Sequence, residues 1–461
     1  MELRIDRQAL VPVVQQIVDA LAVWLRQDEV LPGTRLPSAR HIARVNLLSQ
    51  SSVVEACERL VAQGVLAPRH GAGFVVAATA AQAPPDPAGF DGAHVSQCDR
   101  FGQLNLGCGG LPESWRETDD LSYAIRQVSR TDMAGLFNYS TPLGLPALRQ
   151  QILKRLGLLG MDVDESRIMT TSGASHGLDL IIRTLLKPGD CVVVETPGYP
   201  LLFDLLRLHG VNMIEVPRTP RGPDTEVLES LLVTHRPQAL FINSCYHNPT
   251  GSSLTPGVAQ RVLQLTQAYG VRVIEDDVYA DLHASRGTRL AASGIDRNVI
   301  YVGSYSKTLS SSLRIGFVVG GAGEISQMAH IKMISSMGAS RFCEAVLTCL
   351  LASGAYRKLV QRQRQRLSVD REAALQLLED ADWEVFGQPS GGLFIWARSR
   401  ISDYAQVRRQ AGRLGVLLSS STAFSPVGEA SGWHRINVAY ACDPRARAFF
   451  QATAVNRPQA F

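Results

Sequence analysis

The chain contains very little lysine. Of its 46 basic residues, 41 are arginine and five are lysine, at 154, 187, 307, 332 and 358. It also lacks a long apolar run: no stretch reaches the ~18 residues of a helical membrane span, so a bilayer partner is not expected. Its eight cysteines (57, 98, 108, 191, 245, 343, 349, 442) form no C-x-x-C pair. That spacing excludes a zinc ribbon, predicts no metal site, and reads as reduced thiols. The opening residues, MELRIDRQAL, lack the basic and apolar regions of a signal peptide. With the thiols, this predicts a cytoplasmic protein. Charge is weak: the formal net charge of +4 says little about partners. No internal repeat is visible. What is present is an ordinary globular composition, 45% hydrophobic and 19% charged over 461 residues. At roughly 150 residues per domain it suggests two to four domains.

The first 76 residues read as helices and a hairpin. Val14, Ile17, Val18, Leu21 and Leu25 recur at helical spacing over 11–25. The turn LPGTRLPS follows, and Ser38 is placed to cap a short helix over 38–45. After Asn46, SQSSVVEACERLVAQG reads as a helix ending at Gly64, and VLAPRHGAGFVV as strand, turn and strand. Three helices and a hairpin make a winged helix-turn-helix candidate. Residues 77–102 contain AATAAQAPPDPAGFDGAHVSQ, rich in Ala, Pro and Gly without an apolar period, and read as a linker.

From 103 onward, helices alternate with short apolar runs at 191–195, 211–216, 239–243, 271–276, 299–303 and 316–321. Continuous Val and Ile predict strands buried on both faces of a mostly parallel sheet, an α/β fold. The large domain is expected over about 130–330. A smaller α+β domain is expected over about 331–461, joined by the segment that opens at 103. In it, long charged helices precede the strands GGLFIWARS and HRINVAY.

Lys307 lies in GSYSKTLSSSLRIGF, just past one of these runs and seven residues before Arg314. Alone, such a lysine reads as an exposed side chain closing a strand. The chemical alternative is a Schiff-base lysine, aimed at a carbonyl and held near neutrality. Other strand ends supply suitable company. TTSGASHGLDL offers free amides at Ala174 and Ser175 to an anion. VVVETPGYP puts Tyr199 where a ring could stack, and INSCYHNPTG puts the Asn248 amide in a turn. VIEDDVYADL carries Asp276 and Tyr279. Ligands of open α/β sheets bind at such ends. His176, near the first of these turns, reads as a packed helix histidine.

In order and spacing, NPTG, D-x-x-Y and S-x-S-K followed by arginine resemble the aspartate-aminotransferase-like, fold-type I enzymes of pyridoxal 5′-phosphate (PLP). The resemblance covers 103–461. It implies that Lys307 forms an internal aldimine with PLP, and that Ser304, Ser306 and Arg314, with the amides of Ala174 and Ser175, hold its phosphate. It implies that Asp276 keeps the pyridine nitrogen protonated, that Asn248 and Tyr279 bond the 3′ oxygen, and that Tyr199 stacks on the ring. On the same basis Arg435 in HRINVAY binds a substrate carboxylate. Tyr139 in FNYSTPLGLPALR reaches a neighbouring subunit's phosphate, which implies a homodimer.

The first 76 residues resemble the winged helix of GntR-type regulators, in LPGTRLPSAR, SSVVEACERLVAQGVL and RHGAGFVV. The resemblance places Arg40, Ser49, Gln50, Ser51, Ser52, His70 and Gly71 against double-stranded DNA, with the helix from about 50 in the major groove. Three positions depart from that pattern. The inter-helix turn carries Asn46-Leu47 in place of glycine, with Asn46 expected to take the left-handed conformation. Gln50 follows Ser49 where arginine is usual, and Gln pairs with adenine. Cys57 replaces a common tyrosine. A GntR winged helix, a linker and an aminotransferase-like domain together resemble the MocR regulators. The implied function is a PLP-dependent transcription regulator that senses PLP, an amino acid or an amine at Lys307. The alternative is an aminotransferase with an accessory DNA-binding domain, and a PLP-free dimer platform is a further reading.

Overall fold

The structure, a computed structural model, describes residues 3, 5, 13–27, 33–62, 65–69, 73–77, 99–100, 103–115, 118–282, 287–295 and 297–454. The chain divides into two compact units, Met1–Gly92 and Ala93–Phe461.

The first unit is a winged helix-turn-helix: α1 (Val13–Gln27), α2 (Ala39–Val45), α3 (Gln50–Ala62) and an antiparallel hairpin of β1 (Leu66–Arg69) and β2 (Gly73–Val76). The Ser38 hydroxyl accepts the His41 amide at 3.2 Å and so starts α2. Ile17, Val18 and Leu21 of α1 meet Ile42, Val53, Ala56, Leu60 and Leu66 in a single core. Cys57 is buried in that core too. The inter-helix turn differs from expectation. Asn46 has φ −104°, and the left-handed residue is Leu47, at φ +54°. The Asn46 side chain explains the shift: its Nδ2 donates to Ile42 O at 2.8 Å and its Oδ1 accepts from Leu3 N at 2.6 Å. Those bonds keep Asn46 at the helix end and move the turn one residue on.

In the second unit, β3 (Asp99–Arg100) and β4 (Gln103–Asn105) precede α4 (Thr118–Thr131) and α5 (Pro146–Leu158). The main sheet contains β5 (Ile168–Thr171), β6 (Cys191–Thr196), β7 (Asn212–Thr219), β8 (Gly222–Pro223), β9 (Ala239–Ile242), β10 (Arg272–Asp276), β11 (Val299–Ser304) and β12 (Gly316–Val319). Their order is β5-β12-β11-β10-β9-β6-β7-β8. The central strands β11, β10, β9, β6 and β7 are parallel. β12 runs antiparallel to both neighbours. A parallel crossover needs a dozen or more residues, usually a helix, and the link from Ser304 to Gly316 is shorter than that. The chain therefore turns back, and this return loop is the one that bears Lys307 and Arg314.

Alternation along the strands buries both faces. Val193, Leu240, Val273, Tyr301 and Phe317 enter one core with α4, α5 and the helix Arg341–Ser353. Val192, Val194, Phe241, Ile274, Val302 and Val318 enter another with α6 (Ala174–Leu185) and the helix Ala322–Ser336. A third core gathers Leu104 and Leu106 with β13 (Glu384–Val385), β14 (Phe394–Arg398), β15 (Val416–Leu417) and β16 (His434–Asn437). The helix Ala355–Asp380 joins two of these cores: Tyr356, Leu359 and Val360 belong to the first, and Leu367, Ala374 and Leu378 to the third.

Cysteines 57, 191, 245, 343, 349 and 442 carry free thiols. Cys108 is disulfide-bonded, which corrects the expectation of reduced thiols at that position.

Candidate functional site

The parallel strands end on one side of the sheet, and their exits assemble a cavity of about 180 Å³. Ala174, Ser175, Tyr199, Asn248, Asp276, Tyr279, Ser304, Ser306, Lys307 and Arg314 all line it. Ten positions named from sequence, spread over 141 residues of chain, thus meet in one place. Sheet topology explains this: β6, β9, β10 and β11 are parallel neighbours, so the loops that follow them share an edge.

Lys307 is half-buried, and its Nζ donates to Gly109 O at 2.9 Å. Burial, then the nearby Arg435 cation, lowers its ammonium to about 8, against an opposing pull from Asp276. Desolvation raises the Asp276 carboxyl to about 7, while a bond from Val278 N resists. Burial likewise pushes the Tyr199 phenol up to about 12, and Ser175 hydrogen-bonds it. Tyr279 is raised by burial as well. Both phenols therefore stay neutral across the physiological range.

At one end of the cavity, the start of α6 meets Arg314 and two serines, groups whose chemistry suits an anion. α6 starts at Gly173 without a side-chain cap, so its first amides have no intrahelical acceptor. Gly173 has φ +86°, and a Cβ there would lie 2.4 Å from Arg314 Nη2, so only glycine permits the approach. The Ser306 hydroxyl is buried with no hydrogen-bond partner. Ser304 Oγ accepts the Ser306 amide at 3.1 Å. His176 Nδ1 accepts the Ser172 amide at 3.1 Å and steadies the turn, as a packed helix histidine would.

Arg435 on β16 is not a lining residue; it donates to Gly107 O at 2.7 and 3.0 Å and to Asn248 Oδ1 of the cavity wall at 2.8 Å. Its guanidinium lies 4.6 Å from the Phe394 ring centroid and 5.0 Å from that of Phe424. The Asn248 oxygen is thereby occupied. Tyr139 is not among the cavity residues; it is 77% exposed, beside Phe137 at 85%.

Sequence reasoning missed three parts of this arrangement. The Gly107–Gly110 loop supplies the carbonyls that meet both Lys307 and Arg435, and a Cβ on Gly109 would lie 3.6 Å from Lys307 Nζ. The small-residue run GCGG marks a tight turn but does not point to either partner. Asn243 donates to Asp276 O at 2.7 Å and accepts the Asn248 amide at 2.8 Å, tying two strand exits together. Phe394 and Phe424 had no signal beyond being aromatic.

In the winged helix, Arg40 on α2 and Gln50 at the start of α3 are exposed. Ser49 Oγ accepts the Ser52 amide at 3.0 Å and contacts the Ser51 and Ser52 hydroxyls at 2.9 and 2.7 Å. Ser49 and Ser51 are exposed and Ser52 is half-buried. His70 and Gly71 lie outside the described residues. Among the described residues no His, Cys, Asp or Glu group is arranged to hold a metal, and no helix is long and apolar enough to cross a membrane.

Comparison with known proteins places both units. The family model "Aminotransferase class I and II" matches residues 102–447, and "Bacterial regulatory proteins, gntR family" matches 13–76. The chain belongs to the aminotransferase class I and II family and carries a gntR-family winged helix at its front, the MocR type of arrangement. It is 28% identical over 453 residues to the uncharacterized HTH-type transcriptional regulator YdfD of Bacillus subtilis, covering 93% of each chain. It is 30% identical over 300 residues to the 2-aminoadipate transaminase of Thermus thermophilus, covering 62% of this chain and 73% of that one. Among solved structures, the kynurenine aminotransferase of Pyrococcus horikoshii in complex with PMP superposes with TM-score 0.71 at 26% identity, over 76% of this chain and 90% of that one.

Proposed function

We propose that this protein is a PLP-binding transcription regulator, which contacts double-stranded DNA through its winged helix and senses PLP, an amino acid or an amine through Lys307. The carrying observation is end-to-end likeness to an HTH-type regulator over 93% of both chains, against a shorter match to a transaminase. Residues in the cavity fit the cofactor: an orphaned Ser306 hydroxyl, uncapped α6 amides and Arg314 suit a phosphate, and a half-buried lysine lining the cavity suits a carbonyl. When bound, PLP supplies that carbonyl and an electron-withdrawing ring.

The roles of the protein's own groups follow. Ser304, Ser306, Arg314 and the amides of Ala174 and Ser175 bind the phosphate. Asp276 would hold a proton on the ring nitrogen, from its half-buried place at the end of β10. Asn248 and Tyr279 orient the phenolic side, and Tyr199 covers the ring. Arg435, already backed by Phe394 and Phe424, receives a carboxylate once Gly107 O gives way. Exposed Phe137 and Tyr139 support a homodimer in which Tyr139 serves the partner's site. Such a regulator acts in the cytoplasm, where its DNA is.

The test is binding of full-length protein to the DNA upstream of its own gene, competed with scrambled DNA. Retention of the specific complex is expected. Equal competition, combined with turnover of an amino acid and a keto acid at ~1 per second or faster, favours the enzyme reading instead.

A further inference from the structure

Next to Lys307 in sequence is Thr308, which is 2% exposed. Both of its polar groups are taken by one helix, Ala355–Asp380. Its hydroxyl lies 2.6 Å from the Tyr356 hydroxyl, and its carbonyl accepts from Gln363 Nε2 at 2.7 Å. Tyr356 and Gln363 are seven residues apart, two turns, and share a helix face. The Tyr356 hydroxyl has one proton, which it donates to Asp281 Oδ2. A carboxylate accepts only, so Thr308 must be the donor to Tyr356. Arg155 pairs with the other Asp281 oxygen, and Arg364 Nε donates to Asp281 O at 2.7 Å. The chain of bonds is thus directed from Thr308 through Tyr356 to Asp281, and all three are buried.

Asp281 belongs to the turn that follows Asp276 and Tyr279. The same helix therefore fastens two strand exits, the one after β10 and the one after β11. Its far end packs in the core that carries β16 and Arg435.

We propose that Tyr356 and Gln363 are positioning residues that lock the Lys307 loop to the Ala355–Asp380 helix, so that this helix sets how well the Lys307 amine is shielded and presented. The inference rests on the functional reading above. No part of Tyr356 is needed to touch a ligand. Its ring packs edge-on against Tyr305, 5.5 Å between centroids, and Tyr356→Phe preserves that contact while deleting the hydroxyl link.

The groups facing Lys307 are Arg435, Asp276 and Arg314, with neutral Tyr199 and Tyr279 beside them. All remain in the variant. Loosening the loop admits water to the amine, and hydration favours its charged form. Full-length protein freed of PLP is mixed with PLP at a series of pH values, and the attached fraction is fixed with borohydride. The wild-type rate is expected to rise through a midpoint near 8, since only the neutral amine attacks. In Tyr356→Phe the midpoint is expected about one pH unit higher, so that loading at pH 7 is about 10-fold slower. Thr453→Val is the control: its buried hydroxyl accepts from Trp383 Nε1 at 3.2 Å, a bond that involves neither the Lys307 loop nor the Asp276 turn. It should lose comparable thermal stability with its midpoint unmoved.

A Tyr356→Phe midpoint equal to that of wild type, alongside a lowered Tm, overturns the inference and leaves Tyr356 structural only. Should Tyr356→Phe not fold, Gln363→Leu is read in its place with the same two outcomes. No loading of Lys307 in the wild type overturns the functional reading itself, and this inference with it.

Discussion

Lys307→Ala protein is expected to retain essentially no PLP after borohydride reduction, a fall of about 100-fold or more, because the attacking amine is gone. The scarcity of lysine makes this experiment clean. Lys154, Lys187 and Lys358 are exposed, so water stabilises their charged form. Lys332 is fully buried, and burial lowers it to about 8 as well. Its ammonium, however, is committed to Pro142 O at 2.8 Å and Thr170 O at 2.9 Å, and it does not line the cavity. Peptide mapping of the reduced adduct should find it on Lys307. Non-covalent PLP binding should persist in Lys307→Ala, since the anion cradle is untouched, and thermal stability should not fall, since a costly desolvated amine has been removed. An adduct spread over several lysines, unchanged by Lys307→Ala, would show that the cavity is not the loading site.

The second large effect lies in the winged helix. Gln50→Ala is expected to weaken specific DNA binding by about 1–3 kcal/mol, roughly 5- to 150-fold, with the loss confined to one base pair. Gln50 is exposed at the first position of α3, where a recognition helix meets base edges. Arg40→Ala separates two contacts. If Arg40 meets a phosphate, affinity falls evenly for all sequences and the salt slope drops by about one; if it reads a guanine, the loss is sequence-selective. Arg59→Ala is the control, because Arg59 already pairs with Glu55 at 2.8 Å. Competition of the variants against single-base operator changes checks each outcome. A loss for Arg59→Ala equal to that for Gln50→Ala would place DNA on a different face.

Much of this was legible in the sequence because the relevant signals are local. Runs of Val and Ile mark strands buried on two faces, and the chemistry-bearing residues stand immediately after them, so Lys307, Asp276 and Asn248 could be named without knowing strand order. The reversed direction of β12 was not legible from its apolar content; it follows from the short return after Ser304. Asn46 and Leu47 show a finer limit. Asparagine tolerates positive φ, but here its side chain found two hydrogen-bond partners, and the residue after it turned instead. Contacts between distant segments were beyond reach: nothing in GCGG indicates that Gly107 and Gly109 would face Arg435 and Lys307 across some 200 to 330 residues of chain. Tyr139 lies outside the cavity of the single chain, exposed beside Phe137.

The most direct measurement is DNA affinity of the full-length protein as its ligands are varied, at one stated salt concentration because affinity depends steeply on it. Binding to the DNA upstream of its own gene would be followed by fluorescence anisotropy without PLP, with PLP, and with PLP plus each of a panel of amino acids and amines. A ligand shifts an equilibrium only through unequal affinity for its two states. The account predicts that PLP, or PLP with one amine, changes the specific Kd by about 5- to 150-fold, and that Lys307→Ala abolishes the change. Specific binding that is identical under every condition, in wild type and Lys307→Ala alike, would contradict it.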